Sequence, residues 1–281
     1  MAYTLDDIKG KVCAITGGGG VIGTSFALGL AEAGAKVAIL DFKKENADAV
    51  AQKVNEKFPG NAISVFANVL EKNTLIDAKK EISEKFGKID VLINGAGGNA
   101  PTATTQLEYL STENLGELSK GFFGLDLDGF RRVFDLNFLG TVLPTMVLTE
   151  DMAGRGGVII NISSMNSYRP LTKIPAYSAA KAGINNLTEW LAVHFAKLNI
   201  RVNAIAPGFF LTDQNRFLLT DKETGKLTPR GHRIIDGTPM GRFGETDELI
   251  GTLLYLISDI SKFVTGVIIP VDGGFNAYSG V

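Results

Sequence analysis

The strongest constraint on the fold of this 281-residue chain is an alternation. Short β-branched runs closed by glycine or polar clusters are each followed by a stretch with helical apolar spacing. "KVCAIT" leads through glycines to a helical stretch over 24–34, "AKVAILD" to the exposed helix "KENADAVAQKVNEKF", and "AISVFANV" to the helix "TLIDAKKEISEKFG"; "IDVLINGAG" is the fourth strand. Residues 129–152 read as one long helix. After it come the strand "GVIINIS", a helix over about 176–198, the strand "IRVNAIAPG", a helix near 247–256 and a last strand "GVIIPVDGG". Strands separated by helices are joined by crossovers, so they pair in parallel with helices on both faces. The expectation is one α/β domain over residues 1–281, a Rossmann-type doubly wound parallel sheet of seven strands, with no composition break or internal repeat to divide it.

Two stretches interrupt the rhythm. Residues 98–128 and 209–240 are long, polar and weakly periodic, and each follows the carboxyl end of a strand. Ligands of open α/β sheets bind at that edge, so both insertions are expected to form substrate walls.

The first strand ends in "TGGGGVIG", residues 16–23, and a helix opens directly after it. Free backbone amides and the dipole of a helix N-terminus favour a pyrophosphate there. Eighteen residues after Gly23 the second strand ends in Asp41, whose carboxylate can accept hydrogen bonds from both hydroxyls of an adenosine ribose and would repel a 2′-phosphate. Lys36 is the one basic residue between Thr16 and Val37, although Lys43 and Lys44 follow Asp41. The pattern predicts NAD(H) as cofactor in preference to NADP(H).

Charge and composition narrow the partners. A net charge of −2 and scattered lysines provide no footprint for nucleic acid. No apolar run approaches the length of a membrane span, and the start "MAYTLDDIKGK" lacks the pattern of a signal peptide, so the expected location is the cytoplasm. The single cysteine, Cys13, lies in the first apolar run and reads as a core thiol. His194 and His232 have no ligand-like spacing, and no metal is expected.

"YSAAK" places the Tyr177 phenol and the Lys181 ammonium one helical turn apart. A nearby ammonium favours phenolate and lowers the phenol pKa, as a general acid/base near neutral pH requires. Ser164, thirteen residues upstream at the end of "GVIINISS", is placed to reach the same oxygen.

With "TGGGGVIG", "NGAG" at 94–97, "DLNFLG" containing Asn137, and "APGFFLT" at 206–212, this pattern resembles the short-chain dehydrogenase/reductase family over nearly the whole chain. The resemblance implies that Tyr177 exchanges a proton with the substrate oxygen, Ser164 holds that oxygen, Lys181 binds the nicotinamide ribose, and Asn137 places a water. For the cofactor it implies Thr16, Gly17, Gly19, Gly20, Val21, Ile22 and Gly23 in the loop, and Asp41 and Phe42 at the second strand. It adds Asn68, Val69, Asn94, Ala96 and Gly97 on the adenosine side, then Tyr177, Lys181, Pro207, Gly208, Phe210 and Thr212 around the nicotinamide. Three positions depart from the family pattern: Val21 and Gly95 replace a glycine and an asparagine, and Asn68 replaces an acid.

Within the family the chain is similar to the D-mannonate oxidoreductase subgroup. This implies interconversion of D-mannonate and D-fructuronate; another polyol or keto acid, such as gluconate and 5-ketogluconate, is the alternative. A sugar acid needs a cation for its carboxylate and polar partners for its hydroxyls. Arg169 is the first candidate, followed by Arg216, Arg230 and Arg233, with Asn166, Gln214, Asn215 and His232 for the hydroxyls. The competing reading from another class is a nicotinamide-binding sensor without turnover, against which the complete Ser164, Tyr177, Lys181 and Asn137 set argues. The resemblance also implies a homotetramer, or a homodimer, built through the helices carrying Asn137 and Tyr177.

Overall fold

The computed structural model describes residues 4–211, 219–221 and 224–280. Its strands are β1 (Val12–Thr16), β2 (Lys36–Asp41), β3 (Ala62–Phe66), β4 (Val91–Asn94), β5 (Gly157–Ile162), β6 (Ile200–Pro207) and β7 (Ile268–Val271). They form one parallel sheet in the order β3-β2-β1-β4-β5-β6-β7. The helices are α1 (Val21–Glu32), α2 (Lys44–Lys57), α3 (Lys72–Lys85), α4 (Leu127–Asn137), α5 (Leu139–Leu148), α6 (Pro175–Phe195), α7 (Pro229–Asp236) and α8 (Ile250–Ile257).

Period-two alternation divides the core between the two faces of the sheet. Cys13 and Ile15 of β1 pack with Phe26 and Leu30 of α1, Val54 of α2 and Leu253 of α8. Val12 and Ala14 pack on the opposite face with Leu75 and Ile82 of α3, Leu148 of α5 and Leu191 of α6. Burial pushes the Cys13 thiol up to about 12, as befits a core residue without thiolate chemistry. The chain runs outward from β1 to β3 and returns to the other side of β1 at β4, which opens a crevice at the carboxyl ends of these two strands. In register there, Thr16 pairs with Asn94, and Asn94 with Asn161, so three polar residues form a row beneath the crevice.

Three elements differ from the sequence expectation. Residues 129–152 are not one helix: α4 and α5 meet at Phe138, and a 3-10 turn at Glu150–Met152 follows. At the junction the Thr141 hydroxyl donates to the Asn137 carbonyl (3.0 Å) while the Thr141 amide bonds Phe138 instead (3.0 Å). The side chain has displaced the backbone from its i−4 partner. Pro144 within α5 removes a further backbone donor. Residues 98–128 contain the 3-10 turns Pro101–Ala103, Thr112–Lys120 and Phe122–Gly124. Residues 209–240 contain α7, whose start was written in the sequence as Thr228, which caps Gly231, followed by Pro229 at the first helical position.

Candidate active site

The glycine loop is shaped by close approaches. Gly17 has φ +63°, and a methyl group there would lie 2.7 Å from the Ala96 Cα; at Gly19 it would meet Asn46 Cβ at 2.6 Å, and at Gly23 the Gly18 Cα at 2.7 Å. Val21 is the first residue of α1, and its cap Gly20 has no side chain to satisfy the amides of the first turn. A methyl on Gly20 would come no closer than 3.3 Å, to the Gly17 carbonyl. Gly17, Gly19 and Gly23 therefore admit no side chain, whereas Gly20 would make only a close contact. Gly95, the second departure, is required here, because a Cβ would stand 2.8 Å from the Thr16 carbonyl oxygen. Thr16 Oγ1 accepts from the amides of Gly95 (3.2 Å) and Ala96 (3.3 Å), tying the two loops together across the crevice.

Asp41, at the end of β2, accepts from the Gly19 amide (3.1 Å) and the Lys43 amide (2.9 Å). These bonds hold the carboxylate beside the glycine loop and leave each oxygen further acceptor capacity. Phe42 next to it is exposed. Asn68 is engaged locally: its Nδ2 donates to Glu71 Oε1 (2.7 Å) and its Oδ1 accepts from the Leu70 amide (3.1 Å). Val69 is buried, with Gly140 against it. Asn94 Nδ2 donates to Asn161 and to Thr145 (both 2.9 Å), and Asn161 donates to Thr188, so the row beneath the crevice is a buried hydrogen-bonded network.

Ser164 lies two residues past β5 and caps the turn Met165–Ser167, its Oγ accepting from the Asn166 amide at 3.2 Å. Its hydroxyl lies near enough to the Tyr177 phenol to lower that group's pKa. One turn along α6, Lys181 Nζ donates to the Ile162 carbonyl (2.7 Å) and stands 5.6 Å from the centre of the Tyr177 ring. Asn137 ends α4, with its Nδ2 on the carbonyls of Gly98 and Val133 (both 2.7 Å) and its Oδ1 accepting from the Gly98 amide (3.1 Å). A methyl on Gly97 would lie 2.5 Å from Asn137 Oδ1 and 3.4 Å from Lys181 Nζ, so Gly97 fits closely between them. Ser164, Tyr177, Lys181, Gly97, Pro207, Gly208 and Phe210 all line one cleft of about 320 Å³ that reaches Ile22 of the glycine loop.

The electrostatics depart from the expected pattern. Burial, the largest influence, raises the Tyr177 phenol above its ordinary value, with the Ser164 hydroxyl opposing it, and burial brings Lys181 down to about 8. Nζ is held on a backbone carbonyl rather than on the phenol oxygen, so desolvation outweighs the ammonium's pull on the phenol. This sets a stability signature. Between the folded value of about 8 and the ordinary 10.5 the unfolded chain binds more protons, so Lys181 costs the fold about 3 kcal/mol below pH 8, and that cost disappears as pH rises towards 10.5. In chemical denaturation, the stability of wild type relative to Lys181→Met is expected to improve from pH 7 to pH 10; a flat difference would contradict the buried amine.

The expected substrate residues are less well gathered. Arg169 is exposed, its guanidinium donating to the Tyr278 carbonyl (3.1 Å), and it is absent from the walls of the cleft. Asn166 is buried, with Oδ1 accepting from the Leu171 amide (3.3 Å), and it shapes the loop after Ser164. Thr212, Gln214, Asn215 and Arg216 lie outside the described residues. Two participants had no sequence signal: the Ile162 carbonyl that fixes Lys181 and the Gly98 backbone that fixes Asn137. Phe209, another wall of the cleft, stood within "APGFFLT" but was not singled out. Among the described residues no cluster of side chains suits a metal ion, and no helix is long and apolar enough to cross a membrane.

The chain is 51% identical to a Haemophilus influenzae protein solved with bound NAD and described provisionally as a D-mannonate oxidoreductase. That alignment covers 99% of both chains with a TM-score of 0.93. It is 50% identical to the uncharacterized oxidoreductase UxuB of Bacillus subtilis over 98% of each, and 31% identical to a 2-dehydro-3-deoxy-D-gluconate 5-dehydrogenase of Formosa agariphila over 100% of this chain and 98% of that one. A family described as enoyl-(acyl carrier protein) reductase matches residues 19–276. A parallel sheet with a glycine cradle at its switch point, a Ser-Tyr-Lys cleft beside it, and relatives aligned from end to end agree: this chain belongs to the short-chain dehydrogenase/reductase family of oxidoreductases.

Proposed function

We propose that the protein is an NAD(H)-dependent oxidoreductase that interconverts a secondary alcohol and a ketone on a sugar acid, D-mannonate and D-fructuronate being the preferred pair. The observation that carries the reading is the cleft in which Ser164, Tyr177 and Lys181 adjoin the glycine cradle. The residues fit a nicotinamide dinucleotide: the first turn of α1 lacks a side-chain cap, glycines stand where a Cβ would collide, and Asp41 is fixed beside them. Gly17, Gly19 and Gly23 would cradle the pyrophosphate, Asp41 the adenosine ribose, and Pro207, Gly208 and Phe210 the nicotinamide end. Bound there, the cofactor supplies the acceptor or donor of hydride at the substrate carbon.

The chain's own groups manage the proton. Ser164 Oγ donates to the substrate oxygen and holds it against Tyr177 Oη. In the oxidising direction the phenolate of Tyr177 takes the hydroxyl proton, and in the reducing direction the phenol returns it to the carbonyl oxygen. Lys181, anchored on the Ile162 carbonyl, contributes positive charge that favours phenolate, and Asn137 keeps the Gly98 backbone in place beside it. The similarity to the Haemophilus protein supports D-mannonate as substrate; the similarity to the 2-dehydro-3-deoxy-D-gluconate 5-dehydrogenase supports another sugar acid as the alternative. A panel of hexuronates, aldonates and polyols, followed by nicotinamide absorbance with NAD(H) and NADP(H), tests the assignment. Reduction of D-fructuronate with NADH is expected, and its absence beside turnover of another keto acid would refute the narrow reading.

The same reading places the protein in the cytoplasm as a homotetramer or homodimer. Exposed Val193 and Trp190 on α6, with His194 stacked on Trp190 at 4.5 Å, and exposed Met146 on α5 support an interface there. Val193→Glu is expected to shift the mass measured by light scattering to a smaller species; an unchanged mass would place the interface elsewhere.

A further inference from the structure

The two insertions meet beside the catalytic cleft. A second chamber of about 220 Å³ has Glu108 from the first insertion on one side and Arg230 and Arg233 of α7 on the other, with Thr172 and Phe275 completing its wall. Phe209 lines both this chamber and the cleft that holds Ser164 and Tyr177, so the two adjoin at that residue. Its ring packs edge-on against Phe275 with centroids 5.2 Å apart, which holds the ring at the boundary of the two.

The charges of the chamber do not balance. Arg233 donates to Glu108 at 2.9 Å, an ion pair that ties α7 to the first insertion. Arg230 stands three positions earlier on α7, on the same side of the helix, and among the described residues it has no ion pair. It is partly buried, next to the apolar walls of Phe209 and Ile234. One carboxylate is thus met by one guanidinium, and a second guanidinium remains, partly shielded from water by those apolar walls, which strengthens a charge contact. A sugar acid that presents its ketone carbon to Tyr177 carries its carboxylate several carbons away, where it can extend past Phe209 towards this chamber. Arg169 is unsuited to that task because it lines neither this chamber nor the cleft.

We infer that Arg230 is the anchor for the substrate carboxylate and the residue that makes the enzyme select sugar acids over uncharged ketoses. The inference rests on the proposed function and adds to it the residue that sets specificity. Arg230→Met keeps an apolar stem and leaves the Thr228 and Pro229 start of α7 intact. It is assayed with D-fructuronate and with D-fructose, an uncharged ketose of the same carbon number.

The expected result is a KM for D-fructuronate raised about 10–100-fold, as for loss of a charged hydrogen bond, with kcat, the KM for D-fructose and NAD binding little changed. Arg230→Lys should recover part of the affinity, since it keeps the charge but loses the two-pronged geometry. An unchanged preference for the acid in Arg230→Met, or an equal loss with acid and ketose, would overturn the anchor while leaving the functional reading intact. A wild-type enzyme that reduces no sugar acid would instead overturn the functional reading on which the anchor rests.

Discussion

Tyr177→Phe is expected to lower kcat by about 10²–10⁴-fold, the range that a positioned general acid/base contributes, while the affinity for NAD stays close to that of wild type. The substitution removes one oxygen from a ring whose place is set by the third position of α6 and by the cleft walls, so the fold has little reason to respond. The oxygen it removes is the one beside the Ser164 hydroxyl. Losing it leaves Ser164 to orient the substrate oxygen with no group to exchange its proton, and single-turnover absorbance of the nicotinamide would report the defect in the chemical step itself. Near-normal turnover by the variant would refute the proton-transfer role. A parallel loss of NAD affinity would point instead to a collapsed cleft, which thermal denaturation would detect.

The second large effect concerns cofactor choice. Asp41→Ala is expected to raise the KM for NAD about 10–100-fold while leaving that for NADP level or lower, because the carboxylate that bonds a ribose diol also repels a 2′-phosphate. Alanine also abandons the Gly19 amide, which now donates to Asp41 at 3.1 Å, and so loosens the glycine loop for both cofactors. Asp41→Asn separates the two effects. The amide oxygen keeps an acceptor for Gly19 but carries no charge, so NAD should weaken less than in the alanine variant and NADP should improve. Initial rates across a titration of each cofactor give both constants, and proportional losses for the two would remove Asp41 from the recognition of the ribose.

Much of the architecture was legible because it is local. The seven strands and the crossover helices follow from apolar runs whose period is set by neighbours in sequence, and the glycine positions follow from a turn that admits no side chain. The helix break at Phe138 was not legible, since it depends on the Thr141 hydroxyl choosing the Asn137 carbonyl, and threonine is compatible with an unbroken helix too. Helix α7 was legible in principle from Thr228 and Pro229 but was masked by the polar composition around it.

The site divides along the same line. Residue types and spacing along the chain determined the chemistry available: Tyr177 and Lys181 are one helical turn apart in any α6, Ser164 ends a strand, and Asp41 ends another. Only the tertiary structure decided how burial shifts those groups and which arginines lie near the cleft. Burial raised the phenol and lowered the amine against the expected pull of one on the other, and desolvation is a property of everything packed around a group rather than of its neighbours in sequence. Arg169 was the natural choice along the chain because it follows the catalytic serine, yet the fold turned it to the Tyr278 carbonyl. Arg230, far along the chain, came to the chamber beside the cleft because the crossover from β6 brings α7 against the first insertion through Arg233 and Glu108, a contact spanning more than a hundred residues that no local spacing encodes.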